Sequence, residues 1–544
     1  MKSMMKYLFI FSLIIVGFSL AKEKEATRVE LKNGYYYIDG KKTFVNAIGY
    51  EIGARPGEFP KENRKSQLAR MKSDFEVIKK GGFNAVRTWD PLFKDELELA
   101  QQSGMKVIMG IGMKPEWNFA DQKIIARTDS LVESILSYSK NFDCIITYLV
   151  INEPMPQHIH DVGAQATVDL WKRIINKIHE KHPGVPVTMS GNTAITEYLD
   201  MNIFDVYGYN AYDYGDGAIY THGFANANIF LQKMNGRNKP LLLTEFGYSV
   251  SRLGYGKYGG NSLDDQRDAL IRYYRNLLDA GVAGVCPFYY ADGWWKGGHP
   301  SVHDDTPEEW FGYWGYSDLK DTIGHPRPVW YALTTYNKAL IASPRNQTFY
   351  KNEIPIELFC QNDIAKIKIV YHDKIIYEGK PNSDGYISDN ISFAGDPLKD
   401  RELVFECYDK NDNLIKVETI IVLTGKDEIQ WPTLDIKTGI KDLNESENIK
   451  IELSLKNGAI FTLGNEVRDA FSHHKGWEPG PQRSITIDPA KKEQTVTDSY
   501  TIPRESLILA IYAGADIRYG KFKKTIYNQK FIYRGTWADP IRVK

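Results

Sequence analysis

Eight short apolar runs recur through the first 342 residues, at 44–48, 85–88, 107–111, 145–151, 187–190, 206–209, 241–244 and 282–288. Runs this short have the length of buried strands, and the segments between them carry helical patterns. Residues 66–80 place Leu68, Met71, Phe75 and Ile78 near helical spacing and stop at Gly81-Gly82. Residues 168–181 carry Trp171, Ile174, Ile175 and Ile178 ahead of His182-Pro183-Gly184, and residues 264–280 end at Gly281. Strict alternation of strand and helix implies a parallel sheet. Eight such units in about 310 residues fit a closed (β/α)8 TIM barrel better than an open doubly wound sheet. A dinucleotide-binding version of the open sheet would show GxGxxG at its first turn, and none is present.

The barrel, assigned to residues 28–342, opens with a hairpin signal: apolar residues flank Asn33-Gly34, and Asp39-Gly40 marks a second turn. After Ser343-Pro344 the helical periodicity gives way to alternating runs bounded by Asn, Asp and Gly. Residues 345–425 read as an immunoglobulin-like β-sandwich, and 428–544, beyond Trp431-Pro432, as a further β-rich C-terminal domain. Residues 1–21 read as a cleaved signal peptide: Lys2 and Lys6, an apolar run from Tyr7 to Leu20, then Ser19-Leu20-Ala21. No later stretch is long and apolar enough to span a bilayer, so the mature chain is expected to be secreted or periplasmic, without a membrane span. Export permits disulfides; Cys360 and Cys407 both fall in strand-like runs, and a bridge or two reduced thiols fit equally well, while Cys144 and Cys286 read as core.

Charge narrows the partner. Lys+Arg total 68 against 69 Asp+Glu, for a net charge of -1, so no basic excess exists to neutralise a phosphate backbone and nucleic acid is excluded as the main partner. Aromatic residues make up 13% of the chain, with 34 Tyr and 11 Trp, more ring surface than a core needs. Flat rings are what sugars stack on, which points to a carbohydrate substrate.

In such a barrel the reactive groups belong at the C-terminal ends of the strands. Those ends are Arg87-Thr88-Trp89-Asp90 after strand 2, Asn152-Glu153-Pro154 after strand 4 and Asn210-Ala211-Tyr212 after strand 6. They continue with Glu245-Phe246-Gly247 after strand 7 and Asp292-Gly293-Trp294-Trp295 after strand 8. Glu153 and Glu245 each follow a buried apolar run, where a carboxylate is costly unless it is paired or used. Two carboxylates across a cleft are what glycoside hydrolysis needs, one protonated to assist the leaving oxygen and one ionised to attack the anomeric carbon. Neither His158-Ile159-His160 nor the set His299, His303, Asp304 and Asp305 has a metal-ligand spacing, and the chemistry needs no cofactor. No Gly-x-Ser-x-Gly elbow supports an esterase.

Asn152-Glu153-Pro154 and Thr244-Glu245-Phe246-Gly247, with Arg87 after strand 2, resemble the clan of retaining (β/α)8 β-glycosidases, which includes the family 2 and family 5 glycoside hydrolases. The resemblance covers about residues 28–342. It implies Glu153 as acid/base and Glu245 as nucleophile. Asn152 would then hold the sugar 2-hydroxyl, Tyr212 would hydrogen-bond Glu245, and Arg87 would keep Glu245 ionised. Two departures stand out: the segment before the barrel is too short for the jelly roll of family 2, and the His-x-Tyr frequent in family 5 is here Asn210-Ala211-Tyr212. The short hairpin and trailing sandwich are similar to bacterial endo-acting β-glucanases and mannanases, which implies a β-glucan or mannan substrate.

The long loop after strand 8 is dense in rings, and its Trp294 is expected under the sugar being cleaved, with Trp295 and Trp89 as further substrate contacts. Trp310 and Trp314 are expected to close the barrel end, and Trp117 is a weaker platform candidate. Trp431, Trp477 and Trp537 are candidate platforms in the C-terminal region, with core the preferred reading. A transglycosylase would use the same two glutamates. A non-catalytic carbohydrate-binding surface protein is the alternative from another class, though such a chain tends to lose one carboxylate and both remain.

Overall fold

The computed structural model describes residues 29–51, 63–191, 199, 201–212, 239–254, 259–321, 323–458, 460–474 and 477–535. Residues 1–21, read from sequence as a signal peptide, and Trp537 lie outside the described residues. Three antiparallel strands, Val29–Lys32, Tyr35–Ile38 and Lys41–Thr43, come first. Their turns are at Asn33-Gly34 and Asp39-Gly40, all four residues with positive φ, which tight two-residue hairpins require. This small sheet lies against the barrel, where the Tyr36 hydroxyl meets Thr147 Oγ1 at 3.0 Å.

Eight parallel strands follow: β1 (Val45–Gly49), β2 (Ala85–Arg87), β3 (Lys106–Met113), β4 (Ile145–Asn152), β5 (Val187–Ser190), β6 (Tyr207–Asn210), β7 (Leu241–Phe246) and β8 (Gly284–Pro287). Their order β5-β4-β3-β2-β1-β8-β7-β6 is that of a barrel opened between β5 and β6. A parallel bridge between Gly191 and Tyr209 closes the gap. The closure needs a glycine: a Cβ on Gly208 would stand 1.8 Å from the carbonyl oxygen of Met189. The parallel (β/α)8 barrel expected from the alternation is therefore the fold.

The described helices wrap this sheet: α1 (Arg64–Lys80), α2 (Lys94–Ser103), α3 (Gln122–Ser139), the short α4 (Pro156–Val162), α5 (Ala164–Lys181), α6 (Leu263–Ala280) and α7 (Pro328–Tyr336). Their ends are set by local chemistry. Asn63 accepts from Ser66 N at the start of α1, Ser262 and Asp265 form a capping box on α6, and Gly281 ends α6 in the left-handed conformation. Met71, Phe75 and Ile78 of α1 and Trp171, Ile174 and Ile178 of α5 are buried in one core with Val86, Val107 and Tyr148 of the strands.

Two β domains follow. In the first, a three-stranded sheet (Ala339–Ser343, Glu353–Cys360, Tyr386–Ser392) faces a five-stranded one, whose edge strand Thr348–Lys351 runs parallel to Leu414–Gly425. Ile356, Leu358, Ile369, Leu403 and Phe405 fill the space between them. Ala339–Ser343 falls largely inside the segment assigned from sequence to the barrel. It pairs with Glu353–Cys360, because an apolar run so soon after a helix reads alike as a last barrel element or a first sandwich strand. Cys360 and Cys407 are unbridged, and burial pushes both thiols up to about 12.

The last region pairs a three-stranded sheet (Thr433–Thr438, Asn448–Lys456, Glu493–Thr501) with a four-stranded one (Trp477–Thr486, Thr462–His474, Ile508–Tyr519, Phe522–Tyr533). Trp431 stacks on Phe461 there, at 5.2 Å between ring centroids. A buried polar knot ties barrel to sandwich. Glu418 accepts from Tyr336 at 2.8 Å and pairs with Lys416 at 2.8 Å and Arg275 at 3.3 Å. Burial works to raise the Glu418 carboxyl, but these partners outweigh it and hold it at about 2.

Candidate active site

The C-terminal ends of β2, β4, β6 and β7 converge on two carboxylates. Arg87, fully buried at the end of β2, sends Nη1 to Glu245 Oε1 as an ion pair of 2.9 Å, while its Nη2 donates to Asn152 Oδ1 at 2.6 Å. One guanidinium fork thus ties the residue before one glutamate to the carboxylate of the other. Trp89, two residues on, donates Nε1 to Glu245 Oε1 at 3.0 Å, and Tyr212 beyond β6 donates its hydroxyl to Oε2 at 3.1 Å. Two hydrogen-bond donors, Trp89 and Tyr212, and one cation, Arg87, meet the Glu245 oxygens, and an ionised carboxylate only accepts.

Glu153 sits differently. Among the described residues its hydrogen-bond donor is Asn210 Nδ2, at 2.9 Å, and Asn210 is held in turn by Thr244, whose hydroxyl donates to Asn210 Oδ1 at 2.6 Å. Burial first, and the neighbouring charge of Glu245 second, push the Glu153 carboxyl up to about 7, against the opposing pull of Asn210 and Arg87. The residue has φ 46°, a left-handed conformation that a non-glycine adopts rarely and that is common at functional sites. One carboxyl is thus poised to carry a proton near neutrality while the other is wrapped in donors, the division of labour that acid and nucleophile require.

The site residues named from sequence fall as follows. Arg87, Trp89, Asn152, Glu153, Tyr212 and Glu245 lie in one connected network. The Asn152 oxygen is taken up by Arg87 and, at 3.5 Å, by Asn210, which leaves Nδ2 as its remaining donor. Trp294 is 5% exposed and stacks on His303 at 4.6 Å, so little of its face is open to a sugar in this structure. Trp295 is 37% exposed, with Lys296 Nζ 4.7 Å from its ring. Trp310 covers the other face of His303 at 3.7 Å, and Trp314 packs against Tyr290 and Trp330. Trp117 is partly buried beneath Arg127, and Trp477 is described in its backbone alone. The loop is anchored by Arg327, which donates Nη1 to Asp292 Oδ1 at 2.9 Å and to Gly312 O at 2.6 Å.

Sequence reasoning missed Asn210 as a Glu153 partner, and missed Glu51, Lys296 and Glu308 in the same cleft. Asn210 and Glu51 carried a usable signal, since each stands at or just past the end of a barrel strand. Lys296 and Glu308 had none, because a long loop gives no spacing to read. Among the described residues, no group of three or more His, Cys, Asp or Glu side chains is arranged to hold a metal ion, and no helix is long and apolar enough to cross a membrane.

Residues 29–267 match the sequence profile described as "Glycosyl hydrolases family 2, TIM barrel domain". The chain resembles solved β-glucuronidases at low identity. One, from Parabacteroides merdae with glycerol in its active site, is 12% identical with a TM-score of 0.46, over 92% of this chain and 63% of that one. Another, Bacteroides uniformis β-glucuronidase 2 covalently bound to cyclophellitol-6-carboxylate aziridine, is 13% identical with a TM-score of 0.48, over 93% and 67%. The enzyme from Faecalibacterium prausnitzii is 18% identical with a TM-score of 0.45, over 57% and 51%. The chain thus spans 63% of the first of these proteins, and at these values the likeness carries nothing about substrate. A search of curated proteins finds no match.

Proposed function

We propose that this protein, whose barrel belongs to the (β/α)8 glycoside hydrolase clan, is a retaining β-glycosidase with Glu245 as nucleophile and Glu153 as acid/base. Glu245 attacks the anomeric carbon while Glu153 delivers its proton to the departing glycosidic oxygen. Glu153, now ionised, then takes a proton from the water that releases the sugar from Glu245. Arg87, Trp89 and Tyr212 position the nucleophile, and Asn152 Nδ2 is the donor offered to the sugar 2-hydroxyl. The observation that carries this reading is the unlike setting of two neighbouring carboxyls, Glu153 pushed up to about 7 and Glu245 met by two donors and the Arg87 cation. The substrate we favour is a β-glucan or mannan, on the strength of the short N-terminal hairpin and the trailing sandwich. The charged start and apolar run of residues 1–21 support export.

Proton NMR of wild-type hydrolysis tests the stereochemistry. The first product anomer should be β; an α anomer formed first would mean inversion and remove Glu245 as nucleophile. Glu245→Gly should be inactive and regain turnover with azide, yielding an α-glycosyl azide.

A further inference from the structure

A third carboxylate stands just past the end of the first barrel strand. Glu51 follows Tyr50, whose backbone N–H donates to Arg87 O at 2.9 Å just past β1. Its Oε2 is shielded from solvent and has no hydrogen-bond partner among the described residues. Burial raises the Glu51 carboxyl, Lys296 and Arg87 oppose that rise, and Asp90 and Glu245 add to it. The groups that act on Glu51 include the Arg87 and Glu245 of the catalytic network. The strand end that precedes it is tightly packed: a Cβ on Gly49 would stand 2.9 Å from both the Trp89 ring and the Tyr289 Cβ.

Lys296 completes this wall from the loop after β8. Its ammonium lies 5.0 Å from the Phe288 ring centroid, 5.4 Å from that of Tyr289 and 5.5 Å from that of Trp89. Glu308, in the same loop, is close enough to Glu245 and Lys296 for its carboxyl to respond to both charges. Glu51, Glu153, Glu245 and Glu308 thus share one electrostatic neighbourhood with the cations Arg87 and Lys296.

Buried acceptors in folded proteins nearly always find a donor, so an orphaned carboxylate oxygen in a cleft is a place for a donor that the ligand brings. Sugars bring hydroxyls. We propose that Glu51 accepts a hydrogen bond from a hydroxyl of the sugar ring seated on Glu245, and so selects a ring with a hydroxyl at that position over one with a carboxylate. A uronate there would present a second acceptor to Glu51 in a cleft already rich in negative charge. A carboxylate that binds a hydroxyl discriminates strongly, because an analogue without the donor leaves it unpaired. The inference rests on the glycosidase reading and names a specificity residue for it.

The test uses wild type, Glu51→Gln and Glu51→Ala with the 4-nitrophenyl β-D-glucoside, β-D-mannoside and β-D-glucuronide. Mass spectrometry of the full chain after 2,4-dinitrophenyl 2-deoxy-2-fluoro-β-glucoside or mannoside treatment reads Glu245 labelling independently of turnover. Wild type should prefer a neutral glycoside to the glucuronide. Glu51→Gln, which keeps the side-chain volume, should lower kcat/KM on that glycoside about 10- to 100-fold and slow labelling to match, with folding checked by thermal unfolding. Unchanged kcat/KM in Glu51→Gln, or a glucuronide cleaved as fast as the neutral glycosides, overturns the proposal while labelled Glu245 keeps the hydrolase reading. Absence of both labelling and cleavage in wild type overturns the two together.

Discussion

Arg87 and Trp89 meet at one atom: the guanidinium lies 3.8 Å from the indole ring centroid, and both side chains reach Oε1 of Glu245. A cation stacked on the face of a ring whose edge N–H also points to the carboxylate fixes the oxygen from two directions. The Glu245 carboxylate is therefore held in one orientation.

Removing the edge donor alone should cost rate. Trp89→Phe keeps a ring under Arg87 and loses one donor to Glu245, so kcat should fall by about 10- to 100-fold with little change in KM. Steady-state kinetics on an activated glycoside give the answer, and an unchanged kcat would remove Trp89 from the positioning network.

Arg87→Lys should be far from conservative. Lysine keeps the charge but lacks the fork that reaches Glu245 and Asn152 together. We expect kcat/KM to drop by roughly 100-fold and the melting temperature to fall, because the replaced group is fully buried. Lysine at full activity would show that charge alone suffices.

Glu153 should set both a pH limb and a stability cost. Glycosylation needs its proton, so activity should decline as pH rises through about 7. Its folded value is raised above the ordinary carboxylate value, so the folded state holds the proton more tightly than the unfolded chain does. The penalty is absent below about 4.5, grows between there and about 7, and reaches roughly 3 kcal/mol above that. Glu153→Gln should accordingly raise the melting temperature at pH 8 and leave it nearly unchanged at pH 4. Equal effects at the two pH values would contradict the raised carboxyl.

The Arg327–Asp292 pair should hold the loop after β8. Burial pushes the Asp292 carboxyl up to about 6 in spite of Arg327, so losing the guanidinium leaves a fully buried carboxylate with its counter-charge gone. Arg327→Ala should destabilise by about 3–5 kcal/mol in urea unfolding, and Arg327→Ala/Asp292→Asn together by less. Additive losses would argue against coupling.

The positions of Glu153, Glu245, Arg87 and Tyr212 were legible because a strand-end rule places such residues at one mouth of a barrel whatever its side chains. Asn210 carried the same address, yet its link to Glu153 needed the register that sets Asn210 beside Glu245 on neighbouring strands. Trp294 shows the limit from the other side: a ring in a Gly-rich loop reads as a platform, and only packing on His303 reveals how little of it is open.

The order of apolar runs along the chain, by itself, determined the alternation of strand and helix, the closed parallel sheet and the end of it where reactive groups gather. Those follow from periodicity and chain connectivity, which are local and written in one dimension. Tertiary structure decided that two glutamates of like chemistry meet unlike surroundings, and that Glu51 and Lys296 join them. Desolvation and Coulomb interaction depend on what stands around a group in space, and residues remote along the chain supply those surroundings.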